Sequence, residues 1–154
     1  MIETLEGIIR EHPFFHDLET RHVELITGCA KNVRFDKGNV ILHEGEEANE
    51  FYFIREGLVA LELMAPTKRV TRVQTIGEGD ILGWSWLVPP YRWRFDARAC
   101  QSTRALAFDG KCLRLKCEED HDLGYELLKR FTAVVTERLD ATRLQVLDLY
   151  CVSA

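Results

Sequence analysis

The chain has 154 residues, 46% hydrophobic and 29% charged, with a net charge of −5. That make-up suits one soluble domain with a continuous core, leaves no room for a second, and opposes broad nucleic-acid binding, which needs a positive face to release counterions. The opening MIETLEGIIREH mixes acids with aliphatics and no apolar run reaches membrane-spanning length, so a cytoplasmic location is expected.

Ile2, Leu5, Ile8 and Ile9 stand at helical spacing and predict a short amphipathic helix that stops near Pro13. A second helix is expected from Thr20 as N-cap, with Val23, Ile26 and Ala30 on one face. From about Lys31 the period changes. Residues 32–35, 40–43, 51–55, 58–64, 70–76, 94–101 and 103–108 read as strands, rich in β-branched and aromatic residues and separated by glycines. In FYFIREGLVALELM two such runs meet across Arg55-Glu56-Gly57, which predicts a hairpin. The spacing suggests a small barrel or roll.

Helix returns after Asp109-Gly110. Asp109 is placed to cap a helix through Cys117, and Asp120 or Asp122 to cap a longer one from about Leu123 to Leu149. Leu128, Val135, Thr142 and Leu149 recur every seven residues, with Thr132, Leu139 and Val146 interleaved. This apolar seam runs about 40 Å, longer than a small roll covers, so a homodimer through the identical helix is expected. The five cysteines form an odd set without a C-x-x-C pair, which favours buried free thiols over a disulfide framework.

Chemistry concentrates in one loop. All three tryptophans, Trp84, Trp86 and Trp93, lie in it, beside Pro89-Pro90 and the arginines 92, 94 and 98. Gly83, Trp84, Ser85, Trp86, Arg92, Trp93 and Arg94 are therefore the candidate ligand-binding residues. Guanidinium forks suit phosphate or carboxylate, while indoles supply stacking faces without charge. If residues 93–99 form a strand, Arg94, Asp96 and Arg98 share one face, with Asp96 and Arg98 expected to be solvated, and Trp93, Phe95, Ala97 and Ala99 share the other. There is no His-x-His pair and no G-x-S-x-G, so no metal site, catalytic residue or enzyme activity is expected.

HPFF at 12–15, VRFDKGNVILHEGEEANEFYFIREGLVAL at 33–61 and GEGDILG at 77–83 together resemble the cyclic nucleotide-binding domain of Crp–Fnr regulators and cyclic-nucleotide-gated proteins. The resemblance implies a mainly β, α+β domain over 1–154. Its expected parts are N-terminal helices in 1–31, an eight-stranded antiparallel β-roll (jelly roll) in 32–109, and C-terminal helices in 110–150. The last of these carries a dimer helix with Leu128, Val135, Leu139, Val146 and Leu149. In that family a phosphate-binding cassette opens with Gly-Glu, whose acid binds the ribose, and closes with Arg-Ser/Thr-Ala, whose arginine binds the cyclic phosphate.

Here Gly83 keeps the glycine, Trp84 stands at the glutamate position, and Trp93 stands at the arginine position, followed by Arg94 and Phe95. Two lost charge-assisted hydrogen bonds at about 1.5–3 kcal/mol each weaken binding by about 10² to 10⁴-fold. The resemblance thus implies a non-enzymatic regulatory or sensor domain with lost or altered cyclic nucleotide binding. Two alternatives stay open: a ligand-free dimerisation scaffold, and a genuine cyclic AMP or cyclic GMP binder that recruits Arg92 or Arg94 through a register slip. No cofactor is expected beyond a cyclic nucleotide or another anionic small molecule. The family's helix-turn-helix has no counterpart after Tyr150, so direct DNA binding is not expected.

Overall fold

The computed structural model describes residues 4–152, so Ile2 of the first predicted helix lies outside it. Helix α1 (Leu5–Glu11) starts where Gly7 N–H donates to Thr4 Oγ1 at 3.0 Å, and it turns Ile8 and Ile9 inward. A 3-10 turn (Pro13–Phe15) leads to α2 (Thr20–Thr27). The N-cap of α2 is Glu19, one residue before the predicted Thr20, and it makes no side-chain capping bond.

Eight antiparallel strands follow: β1 (Ala30–Phe35), β2 (Val40–Leu42), β3 (Glu50–Glu56), β4 (Leu58–Met64), β5 (Val70–Gly77), β6 (Ile81–Leu82), β7 (Asp96–Ala99) and β8 (Thr103–Asp109). They form two four-stranded sheets, in the orders β1-β8-β3-β6 and β2-β7-β4-β5. The eight-stranded roll implied by the family resemblance is thus present, starting two residues earlier than expected. The predicted strand 94–101 shortens to β7, and the two-residue β6 was not foreseen by strand patterning.

The hairpin predicted across Arg55-Glu56-Gly57 does not form. β3 pairs with β6 and β8, whereas β4 pairs with β5 and β7, so the chain crosses from one sheet to the other at this point. Gly57 makes the corner. Its φ is 118°, and a Cβ there would stand 2.5 Å from Thr103 Oγ1 and 2.7 Å from Thr103 Cα. Two hydrophobic runs around a glycine look alike in sequence whether they fold onto each other or pass between sheets.

Asp109 caps α3 (Gly110–Glu119) by accepting from Cys112 N–H at 3.0 Å. Asp120 Oδ1 accepts from Leu123 N–H at 3.2 Å at the start of α4 (His121–Val152). The long helix spans 32 residues. Its buried Leu123, Leu127 and Phe131 join the core of the roll. The expectation of five free thiols fails, because Cys29 and Cys112 form a disulfide and only Cys100, Cys117 and Cys151 are free. A separation of 83 residues hides this contact from any spacing argument.

His12 explains how the N-terminal helices dock. Phe14 N–H donates to its Nδ1 (3.1 Å), so Nε2 carries the proton and donates to Gly79 O (2.7 Å) in the β5–β6 turn. The ring stands edge-on to Phe53 at 4.0 Å. Burial lowers its pKa below the ordinary 6.5, against smaller raising effects of the Gly79 bond and the Asp80 charge. As pH falls below 6.5 the unfolded chain takes up this proton before the folded one. The stability contributed by the neutral ring is therefore complete above that value and lost on acidification. The urea midpoint should fall between about pH 7.5 and about pH 5.5, and His12→Asn should lower it at neutral pH while flattening this dependence.

Candidate ligand cassette

Strand β6 ends at Leu82, and Gly83, with a φ of 94°, lets the chain turn sharply into a 3-10 turn at Ser85–Leu87. Trp86 is fully buried there. It stacks on Phe51 (ring centroids 5.0 Å apart, 18° between planes) and meets Phe131 of α4 edge-on at 5.4 Å. Its Cβ also packs on Gly110, where an added methyl would stand 2.9 Å away. Trp86, a candidate ligand contact in the sequence, is thus enclosed by core aromatics, and Ser85 beside it is buried as well.

After a turn closed by Tyr91 N–H to Val88 O (2.9 Å), residues 91–93 run alongside the loop 45–48. Ala48 N–H donates to Tyr91 O (2.7 Å), Trp93 N–H to Glu46 O (3.0 Å) and Gly45 N–H to Trp93 O (2.8 Å). In such an extended segment neighbouring side chains point to opposite sides. Trp93 therefore goes in, at 5% exposure, while Arg92 and Arg94 stay exposed. The Trp93 indole rests directly on Gly83: a Cβ added to that glycine would lie 2.7 Å from two ring carbons. Aromatic carbon thus occupies the side of Gly83 that a Cβ would take.

Neither flanking arginine is buried beside the indole. Arg92 Nη1 donates to Gly45 O (2.9 Å), and Arg94 points to solvent. The solvated row expected at Asp96 and Arg98 is instead half-buried and structural: Asp96 accepts from Glu44 N–H (2.7 Å), and Arg98 binds Glu62 (3.1 Å) and Gly38 O (3.0 Å). On the opposite face Trp93, Ala97 and Ala99 are buried, with Phe95 half-buried.

Two cations from the helices, which local patterning did not single out, complete the region. Arg138 of α4 lies over the Trp84 ring at 5.3 Å and donates to Ile81 O. Burial lowers its pKa, against raising effects of Asp80 and Glu137. Arg114 of α3 sits over Tyr91 at 4.3 Å and donates to Trp86 O and to Ala48 O (3.3 Å). Nothing in the spacing of Arg138 could mark it, since it meets Trp84 only through the fold. A cleft of about 600 Å³ between α4 and the β5–β6 turn, bordered by His12, Ile76, Asp80, Arg130 and Arg138, takes no lining from residues 83–94.

This geometry ranks the indoles by structural weight. Trp93→Ala should destabilise the fold by about 3–5 kcal/mol, the cost of emptying a packed aromatic site. Trp84→Ala, at a half-buried position, should cost about 1 kcal/mol. Urea unfolding followed by circular dichroism measures both, and equal costs would contradict the placement.

The comparisons with known proteins agree with this architecture. A cyclic nucleotide-binding protein of Geobacter metallireducens has a solved structure with a TM-score of 0.80, at 29% identity over 90% of this chain and 99% of that one. The catabolite activator protein of Thermus thermophilus shares the fold with a TM-score of 0.69, at 21% identity over 90% of this chain and 63% of that one. A cGMP-dependent protein kinase of Plasmodium berghei is 30% identical over 78 residues, which is 51% of this chain and 8% of the kinase. This chain thus spans only a small part of that relative's length. The sequence model of the cyclic nucleotide-binding domain matches residues 32–120, more than half of the chain, and the chain belongs to that family.

Proposed function

We propose that this chain is a non-enzymatic, cytoplasmic regulatory domain of the cyclic nucleotide-binding type whose cassette is closed to the nucleotide and which acts as a homodimer through α4. The carrying observation is the Trp93 indole seated on Gly83. In the family an inward arginine holds the cyclic phosphate, and here an indole covers Gly83 while Arg92 and Arg94 face outward. A response to any other anionic small molecule would reach α4 through Trp84 and Arg138 or through Trp86 and Phe131, and it would require unequal affinity for two positions of the helix.

The dimer reading rests on α4. Leu128, Leu139 and Val146 are 51%, 47% and 45% exposed along one seam, with Leu149 at 71% and Val135 half-buried. An apolar seam of this period suits an identical helix across a two-fold axis. The scaffold reading draws on the same seam and differs only in having no ligand.

Tryptophan emission tests the cassette, because all three indoles belong to it. Cyclic AMP and cyclic GMP at millimolar concentration should leave the emission unchanged, and a saturable shift with either would overturn the reading. A shift with another small anion would favour the sensor over the scaffold. Leu139→Asp combined with Val146→Asp should turn a dimer into a monomer at micromolar protein in light scattering, and a wild-type monomer would remove the dimer.

A further inference from the structure

The Cys29–Cys112 bond joins the end of α2 to the first turn of α3, and nothing in the cassette reading uses it. The two cysteines differ in exposure: Cys29 is 7% exposed, whereas Cys112 is half-buried. Both border a cleft of about 400 Å³, along with Lys31, Glu50, Asp109 and Lys111. A small thiol that enters this cleft therefore meets Cys112 on its wall. We propose that Cys29–Cys112 is a site of reversible thiol–disulfide exchange, whose redox state sets how firmly α3 holds the cassette.

The other cysteines take no part. Cys117 packs against Gly124, and burial, with the charges of Glu118 and Asp120, pushes its thiol up to about 11, so it supplies little thiolate. Cys100 points its Sγ at Arg98 O (3.9 Å), and Cys151 is at the far end of α4. Exchange accordingly uses an external thiol such as glutathione. Its thiolate attacks Cys112 Sγ, the S–S bond breaks, and the electron pair leaves on Cys29 Sγ. A second thiolate then attacks the external sulfur of the mixed disulfide and releases Cys112 as thiolate. The two protein sulfurs gain two electrons and take two protons from solvent, while two small thiols become one disulfide.

Reduction should loosen α3 without unfolding it. Other ties keep α2 and α3 together, among them Asp109 N–H to Cys29 O (2.8 Å), Lys116 Nζ to Leu25 O (3.3 Å), and the Arg21–Asp120 ion pair. The consequence reaches the cassette because α3 is its clamp. Gly110 N–H donates to Asn49 O (2.7 Å), Gly110 lies under Trp86, and Arg114 holds Trp86 O and covers Tyr91. A disulfide that stays closed in an oxidising compartment and opens in a reducing one thus acts on the loop that carries the indoles.

The test equilibrates the folded 154-residue chain in glutathione buffers from oxidised to strongly reduced, then counts thiols in denaturant after an acid quench. The count should rise from three to five per chain, matching the free and total cysteines. Tryptophan emission should shift with the same midpoint, and far-ultraviolet circular dichroism should stay folded. Cys112→Ser and Cys29→Ser should fix the emission at its reduced value, and Cys117→Ser should leave the transition intact. Reduction of the wild type carries the conclusion even if a serine variant fails to fold. Five thiols without reductant, a bond that the folded protein keeps at every ratio, or a thiol count that rises while emission stays flat would each overturn the proposal.

Discussion

The contact between the Trp93 indole and the Gly83 backbone is the constraint around which the cassette is arranged. Gly83 adopts a φ of 94°, and with no Cβ it leaves room for an aromatic ring pressed onto the main chain. Once that ring is inward, alternation along the extended segment turns Arg92 and Arg94 outward. Arg92 is then free to donate to the Gly45 carbonyl and fasten the segment to its neighbouring loop. A single aromatic residue thus decides the direction of its flanking charges as well as the packing on the Gly83 main chain.

Helix α3 links this loop to the rest of the molecule. It takes its cap from Asp109 and its first-turn packing from Trp86, and through Arg114 it reaches two main-chain carbonyls and the Tyr91 ring. It passes directly into α4, which returns to the same loop from the other side through Arg138 over Trp84. Trp84 and Trp86 are therefore gripped from two helices that are consecutive in the chain.

Most of the architecture was legible because it rests on local signals. Strand runs set off by glycines, the Asp109 cap and the seven-residue period of α4 each belong to one stretch of chain, and each fell within a few residues of its place. The misread features depend on which distant elements meet. The runs around Gly57 look like a hairpin until their separate partners are known, and Cys29 finds Cys112 only after the roll has closed. Asp96 and Arg98 looked solvent-facing because alternation gives their side but not the neighbours, Glu44, Gly38 and Glu62, that cover it. That the three tryptophans gather in one loop was plain in the sequence. That Trp86 belongs to the core, and that Arg138 stacks on Trp84, required the fold.

The length of α4 makes the Arg138–Trp84 stack a fulcrum. From Arg138 to the last described turn the helix extends roughly 20 Å at 1.5 Å per residue, most of its side chains there are exposed, and the bond from Gln145 Nε2 to Val73 O (2.7 Å) ties this stretch back to β5 and has to yield for it to tilt. Tilting such a rod by about 5° about its root sweeps the tip by roughly 2 Å, within the range of helix shifts that repack subunit interfaces. An ångström-scale disturbance beneath one indole would emerge magnified at the opposite end of the rod.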